Sequence, residues 1–156
     1  WLRYPEEYRR FKPDCRSAEF SDCTREEIVN AYDNTIAYTD HVLAGVIDRL
    51  QKAEGSLDVS MLYMSDHGES LGELGLYLHG APYMIAPSQQ THVPFVLWLG
   101  RSEKAAYSAA CLAGKVGEPQ SHDNLFHTVL GMMRVETGVR DPALDIVSGC
   151  RLGATS

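Results

Sequence analysis

Apolar and polar positions alternate with two different periods along this chain. Between Thr24 and Gly55, residues Ile28, Tyr32, Thr35, Ile36, Thr39, Leu43, Val46, Ile47 and Leu50 recur at three- and four-residue steps, which predicts one long amphipathic helix. Thr24 and Glu27 stand at capping-box spacing at its start, and Gly55 closes it. From Leu57 to Met64 the run LDVSMLYM is nearly continuously apolar, which predicts a buried parallel strand; it stops at Ser65, Asp66, His67 and Gly68. Thr91 to Leu99 predicts a second buried strand, with Pro94 placing it near an edge or a bulge. Residues 68–90, dense in Gly, Pro and His, suit a long functional loop. Residues 1–23 read as an irregular connection and residues 100–120 carry little signal. Asp123 can cap a last helix through LFHTVLGMM, and LDIVSG reads as one short strand in the tail. Helix, strand, loop, strand, helix is the order of an α/β layer architecture.

Composition narrows the classes of function. With 156 residues and 44% apolar content the chain can form one packed core or part of a larger one. Its longest apolar runs, such as Val93 to Leu99, fall short of the roughly 20 residues that a membrane-spanning helix needs, and the opening WLRYPEEYRR is not a signal peptide. A formal charge of -7, with 14 dispersed basic residues, argues against a nucleic-acid partner. The four cysteines admit three pairings. Cys15 and Cys23 flank a short polar segment that suits a disulfide staple better than a metal, and Cys111 with Cys150 would make a second bridge in an oxidising compartment. Four free thiols in a reducing one is the alternative.

Candidate chemistry concentrates where the first strand ends. Ligands of open α/β sheets sit at the carboxyl ends of strands, and Asp66 with His67 could there give Zn2+ an oxygen and a nitrogen. Gly68 allows a sharp turn, and Glu69, Glu73 and His79 follow in the same loop. Taken alone, DHGE also describes a capping Asp beside a surface His. Asn30 and Asp33, three apart on one helical face, read as docking contacts. His122 and Asp123 read as a helix start, and His41, His92 and His127 carry no functional expectation.

The run YMSDHGESLGELGLYLHGAPYMIAP, followed by QTHVPFVLW, resembles the alkaline phosphatase and sulfatase superfamily. Together with NAYDNTIAYTDHVLAGVIDRL, CRSAEFSDC and SHDNLFHTVLGMM, it resembles the lipid A phosphoethanolamine transferases within that superfamily, over about residues 2 to 135. The resemblance implies an α/β/α sandwich of the alkaline phosphatase type, incomplete in this chain, as the C-terminal portion of one catalytic domain. It implies that Asp66 and His67 are ligands of the catalytic Zn2+. His79 would be a catalytic group contacting the phosphate, or a ligand of a second metal, and Glu69 would line the pocket near the ethanolamine.

The implied reaction moves phosphoethanolamine from phosphatidylethanolamine to a threonine, and from there to lipid A or a lipopolysaccharide core sugar. The family's nucleophile motif is not among these residues, so the chain by itself is expected to be inactive and poorly soluble. The implied location is the periplasmic face of the bacterial inner membrane, through an N-terminal membrane domain outside this chain. A product with an added amine would bind cationic peptides such as polymyxin more weakly. A sulfatase or phosphodiesterase that uses water as acceptor is the alternative within the superfamily, and a packing module without chemistry is the alternative outside it.

Overall fold

A computed structural model describes residues 4–153. The opening Trp1 to Arg3 of the expected connection lies outside the described residues. Two compact units form, one from residues 4–52 and 61–98, the other from residues 53–60 and 99–153.

Helix α1 runs from Arg25 to Ala53, with all but its last residue in the first unit. Thr24 Oγ1 accepts the Glu27 N–H at 3.3 Å, and Glu27 Oε2 accepts the Thr24 N–H at 2.7 Å. The expected capping box is therefore reciprocal, and the Thr24 backbone and hydroxyl bonds hold the Glu27 carboxyl below its usual range. The preceding segment is irregular apart from two 3-10 turns, Glu6–Tyr8 and Phe20–Asp22, but it is firmly attached to the helix. Asn34, fully buried, accepts the Phe11 N–H at 2.9 Å and donates to the Phe11 carbonyl at 3.0 Å. Asn30 donates to the Pro13 carbonyl at 2.8 Å, the docking contact expected of it. Tyr8 packs against Tyr38 and His41 at centroid distances of 5.0 and 4.9 Å. Cys15 and Cys23 form the expected disulfide.

Four strands follow: β1 (Ser60–Met64), β2 (Ser70–Leu71), β3 (Tyr77–Leu78) and β4 (Phe95–Leu99); a one-turn helix α2 (Ser88–Thr91) precedes β4. β1 pairs with β4, and β2 forms an antiparallel hairpin with β3. Beyond one end of the β1–β4 pair Ser65 N–H donates to Pro94 O at 3.4 Å, and beyond the other Gly100 N–H donates to Val59 O at 2.9 Å. Residue numbers rise on one strand as they fall on the other, so the pair is antiparallel, which corrects the expected parallel direction. An apolar run records that a strand is covered, not which way it runs. Residues along both strands are mostly half-buried rather than buried. The α/β class stands, and everything from Ser65 to Pro94 is an excursion from one end of this pair.

In the second unit, α3 (Arg101–Ala105) and α4 (Ala109–Lys115) occupy the stretch that carried little sequence signal. Helix α5 covers Asp123–Met132. Asp123 is not its cap: the Ser121 hydroxyl accepts the Asp123 N–H at 3.2 Å, and the Asn124 side chain accepts the Ser121 N–H at 2.8 Å. The segment LDIVSG is a series of turns and not a strand. Its backbone is already satisfied by side chains: Asn124 donates to Leu144 O at 2.9 Å, and the fully buried Thr128 hydroxyl accepts the Ile146 N–H at 3.1 Å. Cys111 and Cys150 form the second disulfide and tie α4 to the tail. Glu103 pairs with Arg134 at 3.2 Å and Arg151 at 3.4 Å beside Tyr107. No helix among the described residues is long and apolar enough to cross a membrane.

Candidate metal centre

The loop that leaves β1 is positioned by a backbone pinch. Gly68 N–H donates to Gln90 O at 3.0 Å, and a Cβ on Gly68 would stand 2.0 Å from the Gln89 carbonyl oxygen, so only glycine lets the two segments approach this closely. Buried Gln90 then spans the loop, donating to the Ser70 hydroxyl at 2.7 Å and accepting the Ala81 N–H at 3.3 Å. Both ends of the β2–β3 hairpin are thereby fixed against α2. Glu73, counted with the site groups from sequence, serves the hairpin instead. Its carboxylate accepts the Leu71 N–H at 2.6 Å and pairs with Arg25 at 3.3 Å, and the Leu71 bond above all holds its pKa down.

His67 is set by its neighbours. The Ser65 hydroxyl donates to the His67 carbonyl at 2.8 Å, and the His67 N–H donates to Asp66 Oδ1 at 3.1 Å. Its Nδ1 lies 3.0 Å from the Gly68 carbonyl, an acceptor only, so this contact selects the tautomer with the proton on Nδ1. The lone pair of Nε2 is left available, and Nε2 lies 3.8 Å from Asp66 Oδ2. Asp66 itself projects into solvent.

His79 follows β3 between two left-handed residues, Leu78 at φ 64° and Gly80 at φ 98°. That backbone returns its ring over His67, with centroids 3.8 Å apart at 29°. His79 Nδ1 contacts Glu69 Oε1 at 2.9 Å. One ligand atom each from His67, Glu69 and His79 falls within a mutual 4.8 Å, an arrangement that could hold a metal ion. Imidazole nitrogens and carboxylate oxygens are donors that zinc and similar divalent ions accept, so donor type and spacing fit. His67, Glu69 and His79 thus gather beyond the end of β1, and Asp66 meets this group only through its 3.8 Å approach to His67 Nε2. His127 instead accepts the Asp141 N–H at 2.8 Å.

Glu69 has a second neighbourhood. A cavity of about 370 Å³ is lined by Phe20, Ile28, Tyr32, Leu71 and Leu78 with the Cys15 side chain, and Glu69 contributes to its wall. Burial, and then the charge of Glu69, raise the Tyr32 phenol above its ordinary pKa. In the sequence Tyr32 is one position of the α1 stripe, and nothing in that periodicity separates it from the other apolar positions. Gln90 and Ser70 were missed altogether, because a polar pin between loops leaves no periodic signal.

The sulfatase family profile matches residues 2–135, most of the chain. The chain belongs to the sulfatase family. Among its relatives there, phosphoethanolamine transferase EptA of Salmonella typhimurium is 42% identical over 152 residues, 96% of this chain and 28% of that protein. The integral membrane protein lipooligosaccharide phosphoethanolamine transferase A from Neisseria meningitidis superposes with a TM-score of 0.90 at 43% identity, over 96% of this chain and 28% of that one. The C-terminal periplasmic domain of phosphoethanolamine transferase EptC from Campylobacter jejuni gives 0.85 at 44% identity, over 94% of this chain and 46% of that one. This sulfatase-family chain therefore spans little more than a quarter of the curated relative's length, and its fold is that of part of such a periplasmic domain.

Proposed function

We propose that this chain carries part of the zinc centre of a phosphoethanolamine transferase, with lipid A or a lipopolysaccharide core sugar as acceptor. The observation that carries the proposal is the free Nε2 of His67 facing Asp66 Oδ2 at 3.8 Å, beside the Glu69–His79 contact. Asp66 and His67 would hold Zn2+, which when bound supplies Lewis-acid stabilisation of a phosphoryl group and of an attacking hydroxyl. His67 is oriented for that role by the Gly68 carbonyl on its other nitrogen. His79 steadies a phosphoryl oxygen, with Glu69 keeping the imidazole oriented and offering a carboxylate to the ethanolamine ammonium.

A threonine supplied outside these residues is the nucleophile: the phosphorus–oxygen bond to the diacylglycerol breaks as the bond to threonine forms, and a second displacement moves the group to the acceptor. The relatives' names, and the match to a periplasmic domain and to an integral membrane protein, support a site on the periplasmic face of the bacterial inner membrane, tethered through a membrane domain.

The test is zinc content of the product of the parent gene against its Asp66→Ala and His67→Ala variants, paired with mass spectrometry of lipid A and of the lipopolysaccharide core from cells expressing each. Loss of zinc together with loss of the phosphoethanolamine adduct is expected. Unchanged zinc in both variants would remove Asp66 and His67 from the centre. Zinc loss with no adduct on lipid A or core sugar, even in the parent, would replace the transferase with a hydrolase.

A further inference from the structure

Downstream of His79 the chain makes a projecting turn whose tip is Tyr83, Met84 and Ile85. These three consecutive side chains are 85%, 95% and 66% exposed. The turn is held by its backbone, with Ile85 and Ala86 N–H both donating to Pro82 O at 2.9 Å, and its base is anchored by buried Pro87 and Gln90. Its shape therefore does not depend on the three side chains that it displays.

The charge pattern around the turn is as unusual as its exposure. Of 14 basic and 21 acidic residues in the chain, none falls between Glu73 and Arg101. A neutral, apolar tip on a chain of net charge -7 suits a surface that carries no strong charge of its own. A stable protein contact needs roughly 800 Å² from each partner, more than three side chains on one turn can offer. A tyrosine beside two flexible aliphatic side chains is instead the composition that settles at the boundary between lipid headgroups and acyl chains.

We propose that the Tyr83–Ile85 turn dips into the surface of a zwitterionic lipid bilayer. His79 lies four residues before Tyr83, so the dip would hold the imidazole close to the headgroup layer. This goes beyond the transferase proposal and does not require it, since a turn can enter a bilayer whatever chemistry occurs beside it.

Flotation of the 156-residue chain with phosphatidylcholine/phosphatidylethanolamine vesicles on a density gradient, where aggregate sinks, and in chelator so that metal plays no part, tests the idea. The chain is expected to rise with the vesicles. The combined Tyr83→Ser, Met84→Ser and Ile85→Ser variant is expected to bind about tenfold less or weaker still. A Met84→Leu variant should bind as the parent does, and circular dichroism should show equal helix content in all three. A Tyr83→Trp variant should shift its emission to the blue on adding vesicles. Equal flotation of the parent and the triple-serine variant, or capture only by anionic vesicles, would overturn the proposal.

Discussion

The carboxylate of Glu69 holds His79 Nδ1 at 2.9 Å on one side, while on the other it forms part of the cavity wall that includes Tyr32. A single side chain thus belongs both to the candidate metal centre and to the apolar cavity beside it.

That dual position gives a pH-dependent prediction. Tyr32 has its pKa raised from 10.0 by burial and then by the Glu69 charge. The folded chain consequently favours the neutral phenol: this contribution to stability is complete below the ordinary tyrosine pKa and is lost as pH rises through the folded value. Glu69→Gln should move the Tyr32 ionisation back toward 10.0, read as the ultraviolet difference between each protein and its Tyr32→Phe counterpart. An unchanged Tyr32 curve in Glu69→Gln would show that the carboxylate does not act on the phenol.

Gly68→Ala should be costly in a way that its chemistry alone does not suggest. The added methyl would stand 2.0 Å from the Gln89 carbonyl, so the loop must retreat and give up the bond to Gln90 O. A loss of about 2 kcal/mol or more is expected in denaturant unfolding, with weaker metal binding because His67 moves with the loop. Gly55→Ala is the control, since nothing lies within 4 Å of the position a Cβ would take there. Equal unfolding midpoints for the two variants would argue against the pinch.

The two disulfides should differ in worth. Cys111–Cys150 closes a separation of 39 residues and Cys15–Cys23 one of 8. Chain-entropy scaling gives about 4 kcal/mol for the longer loop and about 2.5 kcal/mol for the shorter. Replacing Cys111 and Cys150 by serine should therefore lower the unfolding midpoint further than replacing Cys15 and Cys23. The reverse order would mean that the short loop does more than limit the unfolded chain.

What could be read from the sequence follows from where each signal resides. The long helix was legible because its stripe and its Thr24–Glu27 cap are local, and the end of β1 was legible because Asp66 and His67 interrupt an apolar run abruptly. Strand direction was not, since LDVSMLYM and HVPFVLWL would look the same whichever way they paired. The turns in LDIVSG were hidden because Asn124 and Thr128, some twenty residues earlier, satisfy the backbone that would otherwise seek a strand. At the site, the charged and imidazole groups announced themselves by residue type, whereas Gln90 and Ser70 matter only through a contact across 20 positions.

Asn34 has a mechanical consequence. Because it grips both backbone groups of Phe11, tension applied along the leading segment would reach the interior of α1 rather than its first turn. The segment behaves less as a tether than as a lever arm, and a pull on it would twist the helix that carries Tyr32 before it loosened the helix end.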